Sequence, residues 1–119
     1  MIIRSLRDIE GFRAGDGSFL KELFHPAKEP LGISYSLAHA LVRPGDRTLP
    51  HKLRSAEVYV ILEGTGLMRV GAEEAEVGPG RAVFIPPGEV QSLANTGASD
   101  LAFLCIVDPA WRAEDEQIL

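Results

Sequence analysis

The chain has 119 residues, 45% of them apolar, and a formal net charge of -5. That length accommodates one compact domain, residues 1–119, and leaves no room for two of ordinary size. The acidic balance excludes the dense lysine and arginine surface that nucleic acid requires and disfavours anionic membranes.

The opening Met1-Ile2-Ile3-Arg4 reaches charge within a few residues and lacks the apolar stretch of a secretion signal, and no run approaches a membrane span. A cytoplasmic protein is expected. Cys105 has no partner for an internal disulfide and sits among apolar neighbours, so it reads as an inert buried thiol.

Short apolar runs broken by glycine and proline follow one another without a long amphipathic helix, the pattern of an all-β domain. Ser18 to Phe24 pairs apolar residues at helical spacing but is short, and it is assigned to strand. Ile33 to Val42 is the clearest strand. Its Ile33, Tyr35, Leu37, His39 and Leu41 share one face, assigned to the interior, and Ser34, Ser36, Ala38, Ala40 and Val42 share the other. Pro44-Gly45-Asp46 ends it. Further strands are expected at Glu57 to Glu63, Gly66 to Val70, Glu73 to Val77, Ala82 to Ile85, Gln91 to Asn95 and Leu101 to Val107, joined by turns such as Gly78-Pro79-Gly80.

Two of these strands are apolar on both faces. Glu57, Tyr59 and Ile61 alternate with Val58, Val60 and Leu62, and Leu101, Phe103, Cys105 and Val107 alternate with Ala102, Leu104 and Ile106. A barrel has one inside face, so the outer one needs cover. A homodimer is expected; the alternative cover is the N-terminal segment or Ala110 to Leu119, with Trp111, folded back over the surface.

Two glycine-bounded segments carry the chemistry. The first runs Gly45, five residues, His51-Lys52-Leu53, three residues, Glu57, six residues, Gly64; the second runs Gly80, five residues, Pro86-Pro87-Gly88, two residues, Gln91, three residues, Asn95. In order and spacing they resemble the paired motifs of the cupin superfamily, most nearly the small single-domain cupins described as related to mannose-6-phosphate isomerase. The resemblance spans about residues 33 to 107. It implies a double-stranded β-helix, or jelly-roll barrel, with positions 51, 53, 57 and 91 facing its centre.

In metal-binding cupins those four positions are ligands, and two have changed here. His51 and Glu57 keep the usual types, while Leu53 and Gln91 stand where histidines are common. The resemblance thus implies a divalent metal (Zn, Mn, Fe, Ni or Cu) held by a reduced set, His51, Glu57 and Gln91, with His39 and Tyr59 as candidate additional ligands. Leu53, Tyr59, His39 and Ile61 are expected to line the pocket. Gln91 offers only a neutral amide oxygen, a weak donor for a transition ion. A metal-free alternative exists for each residue: His51 and Glu57 pair with each other, Gln91 hydrogen-bonds a ligand or water, and His39 lines the pocket or core. His25, before Pro26, reads as a solvent-facing loop residue, and Arg43, Arg47 and Arg54 as surface charges near the barrel mouth.

Two functions fit. The one favoured is a cupin that binds a divalent metal through the reduced set and accepts a small polar molecule such as a sugar derivative or keto acid. The other is a metal-free binding or sensing module that has lost catalysis, with Leu53 as its trace. Fold alone does not decide between them.

Overall fold

The computed structural model describes residues 1–119, and its secondary structure is eleven strands with two 3-10 turns, Leu6–Asp8 and Ala113–Asp115. The strands are β1 (Phe12–Arg13), β2 (Phe19–Phe24), β3 (Ser36–Val42), β4 (His51–Leu53), β5 (Ala56–Glu63), β6 (Gly66–Val70), β7 (Glu73–Val77), β8 (Ala82–Ile85), β9 (Gln91–Asn95), β10 (Leu101–Asp108) and β11 (Glu116–Ile118). They form two antiparallel sheets, ordered β1-β2-β3-β10-β5-β8 and β11-β4-β9-β6-β7. The neighbours are non-consecutive because successive strands cross between sheets, which is how a jelly roll encloses an interior.

Local chemistry sets the corners. At the β5–β6 reversal Gly64 has φ +83°, and a Cβ there would lie 2.5 Å from the Asp100 carbonyl oxygen, so only glycine suits the position. Along β5 the period-two pattern is obeyed: Glu57, Tyr59 and Ile61 are buried, Val58 and Val60 half-buried, and Leu62 exposed. Ser18 to Phe24 is extended, as expected, and pairs with β3.

On β3 the assigned faces are reversed. Ser36, Ala40 and Val42 are buried, and Ala38 on the same face is paired with Cys105, whereas Leu37, His39 and Leu41 point outward. The cause is volume. Small side chains on β3 face Phe103 and Cys105 of β10 and leave space between the sheets, and the larger apolar ones sit on the outer surface.

The interior divides lengthwise. One end is packed solid by Val42, Ile61, Met68, Leu93 and Leu101, all in one buried cluster. Toward the other end Ser36, Ala38 and Leu53 leave a cavity of about 500 Å³.

Candidate functional site

β4 carries His51, and its cross-strand partner on β9 is Gln91. On its other side Ile118 of β11 opposes His51, so the C-terminal segment closes the sheet beside the site. Glu57 and Tyr59 enter from β5 in the facing sheet. His51, Leu53, Glu57 and Tyr59 all border the cavity, and Gln91, only 1% exposed, meets the centre through Tyr59. The structure brings these five side chains together.

Each has a defined hydrogen-bonding state. His51 Nδ1–H donates to the Leu49 carbonyl at 2.6 Å, which turns Nε2 inward. There Asp16 Oδ2 lies 3.6 Å away, within ion-pair range but beyond a direct hydrogen bond. The Tyr59 hydroxyl donates to Gln91 Oε1 at 2.9 Å. The Gln91 side chain also acts on the Glu57 carboxyl. Glu57 Oε1 is buried without a partner.

Burial dominates the electrostatics. It pushes the Glu57 carboxyl up to about 8; the Gln91 amide opposes this, and the Asp16 and Glu116 carboxylates add to the rise. Burial thus favours the neutral form of Glu57. Burial likewise raises Tyr59 and Cys105 well above their ordinary values, which leaves the thiol inert.

Two pocket assignments are corrected. His39 lies on the outer face of its sheet, opposite Lys21 and Leu104, with its pKa lowered by burial and then by the Lys21 charge. It does not reach the centre, because the inward face of β3 is the small-residue one. Ile61 points inward but is 1% exposed within the packed end, one strand turn beyond the cavity.

Three residues escaped the sequence reading. Asp16 sits in the turn between β1 and β2, its Oδ1 accepting from Ser18 N at 2.9 Å and Ser18 Oγ at 2.6 Å. Glu116 on β11 borders the cavity and accepts from Trp111 Nε1 at 2.6 Å. His25 is buried rather than solvent-facing: its Nδ1 accepts from Ala27 N at 3.1 Å, so Nε2–H donates to the Trp111 carbonyl at 2.7 Å and ties the C-terminal segment across the cavity. An Asp-x-Ser turn was the only sequence signal for any of the three.

The donor set falls short of a first-row divalent ion as it stands. His51 Nε2 and Glu57 are good ligands, but Leu53 cannot ligate, and the Gln91 oxygen already accepts from Tyr59. No three of the His, Cys, Asp and Glu side chains form a group that could hold a metal ion.

A family model described as "Cupin domain" matches residues 38–107, well over half of the chain. The chain belongs to the cupin family. This cupin is 41% identical over 112 residues to the uncharacterized protein MJ1618 of Methanocaldococcus jannaschii, covering 93% of this chain and 89% of that one. It is 31% identical to an oxalate-binding protein of Thermotoga maritima, covering 90% and 93% of the two chains. Among solved structures it matches a predicted oxalate decarboxylase from Thermotoga maritima with TM-score 0.79 and 25% identity, covering 92% and 99%. A Cupin 2 conserved barrel domain protein from Salinispora arenicola, at 17% identity and TM-score 0.78 over 96% and 91% of the two chains, shares the fold.

Proposed function

We propose that this cupin is a metal-independent small-molecule-binding barrel, with the ligand held between Tyr59, Leu53, Glu57 and His51. The thin donor set carries this reading: Leu53 cannot ligate, and Gln91 offers only a neutral amide oxygen, one of whose lone pairs already accepts from Tyr59. The cavity also has the size and the mixture of apolar wall and few polar groups typical of small-ligand sites. A neutral Glu57 acid and the inward Nε2 of His51 supply a hydrogen-bond donor and acceptor to orient the guest. The divalent-ion reading draws support from the orphaned Glu57 oxygen and from the Nδ1-to-carbonyl bond of His51, a habit of ligating imidazoles. The shortage of donors outweighs it.

A thermal-shift and titration screen of small polar molecules tests the proposal, with Ala38→Leu filling the cavity as control. Saturable binding lost in the filled variant is expected. Binding that persists there would move the ligand out of the barrel.

We also propose that a second copy covers the outer face of the larger sheet. Val58 and Val60 of β5 register against Ile106 and Leu104 of β10, which register against Leu37 and His39 of β3, so one half-buried apolar surface runs across three strands. The N-terminal segment is held along β2, with Arg4 bonded to the Leu23 carbonyl and stacked on Phe24, and the C-terminal segment pairs with β4 in the other sheet. Light scattering at micromolar concentration should give twice the chain mass; a monomer would contradict it.

A further inference from the structure

The polarity of the cavity is uneven. Its basic side chains lie toward the rim and are already engaged: Lys28 pairs with Glu22, Arg112 with Asp115 and Glu114, and Arg13 donates to the Gly17 carbonyl. Three carboxyl groups also line it, Glu57 buried and Asp16 and Glu116 half-buried. Asp16 and Glu116 both act electrostatically on Glu57, a cavity-lining residue whose Oε1 is buried and unpartnered. Asp16, its side chain 14% exposed, meets only the His51 ring at 3.6 Å beyond its own turn. Beside them the Tyr59 and Phe103 rings stand 4.6 Å apart.

From this arrangement we infer that the ligand carries a cationic nitrogen, a protonated amine that docks between Asp16 and Glu116, beside the Glu57 acid, with its apolar part against Tyr59, Phe103 and Leu53. The inference rests on the small-molecule reading of the same cavity and narrows it. An ammonium group brings several donors to a place with unfilled acceptors, and charge-assisted hydrogen bonds to carboxylates are the strong ones. Aromatic faces beside it favour the same charge. A dicarboxylate or phosphate would instead meet like charge, with no free cation at the floor to neutralise it. The guest thereby differs in sign from the oxalate named for the Thermotoga maritima relative.

The test uses three probes of one shape, benzylamine, benzyl alcohol and benzoate, titrated into the full chain by calorimetry at millimolar concentration, with oxalate and Zn²⁺ alongside. Benzylamine should bind saturably and best, and Asp16→Asn and Glu116→Gln should each weaken it about tenfold while circular dichroism shows an unchanged fold. Should either substitution unfold the chain, the other alone carries the test. Benzyl alcohol or benzoate binding as tightly as the amine would overturn the charge preference and leave the small-molecule reading standing. Zn²⁺ saturating a site that benzylamine cannot fill would overturn the inference in favour of a metal ion. No saturable binding of any probe would overturn both.

Discussion

Tyr59 and Gln91 are joined by a hydrogen bond of 2.9 Å that links strand β5 of one sheet to strand β9 of the other. Both side chains are buried, so neither has water as a substitute partner. Tyr59→Phe strands the Gln91 oxygen and should cost about 1–3 kcal/mol. Adding Gln91→Leu to it should cost less than the sum of the two single changes, as for any shared bond. Urea unfolding of the four proteins in this cycle checks it, and strict additivity would mean the bond contributes nothing.

The Glu57 carboxyl makes stability fall as pH rises. Its folded pKa of about 8 stands above the ordinary 4.5, chiefly through burial, so between those values the folded chain holds a proton that the unfolded chain has released. The folded state then binds more protons than the unfolded one, and the free energy of unfolding declines with pH across that window. The contribution is complete below about pH 4.5 and lost by about pH 8. Urea midpoints should drop from about pH 5 to about pH 8 in the native chain and change less in Glu57→Gln.

Leu53 borders the cavity and is 5% exposed, so an imidazole placed there faces the same space as His51 and Glu57. Leu53→His should raise Zn²⁺ affinity by at least about tenfold over the native chain. It should also lower stability by about 1–3 kcal/mol through lost apolar packing. Calorimetric titration reads the first and urea unfolding the second; unchanged affinity would mean that the missing donor at position 53 is not what limits ion binding.

Leu104 sits at the middle of the outer apolar surface, between His39 and Val60. Leu104→Glu should dissociate the proposed dimer, because the charge would be buried against a second copy without a partner. Sedimentation at micromolar concentration distinguishes a halved mass from an unaffected one.

Much of this was legible in the residues. The seven strands expected from Ile33 onward match β3 and β5 to β10 closely, because glycine and proline mark their ends and β-branched or aromatic residues fill them. Motif spacing singled out His51, Leu53, Glu57 and Gln91 and strand alternation Tyr59, side chains that the structure brings together. What failed was orientation on β3, where both faces are apolar and period two cannot say which is inside; the small residues faced inward to make the cavity. Strands β4 and β11 were missed because three residues give too little alternation, and β11 is fixed by pairing with β4 across a long stretch of chain. Glu116 and His25 reach the site by tertiary approach alone, and the Asp-x-Ser turn that holds Asp16 does not encode where that turn docks.

The central claim, a cavity that works without a resident ion, is tested most directly by elemental analysis of untagged native protein after incubation with divalent ions and removal of the excess. The account expects transition-metal content well below one ion per chain, unaltered by His51→Ala. One ion per chain, abolished by that substitution, would contradict it.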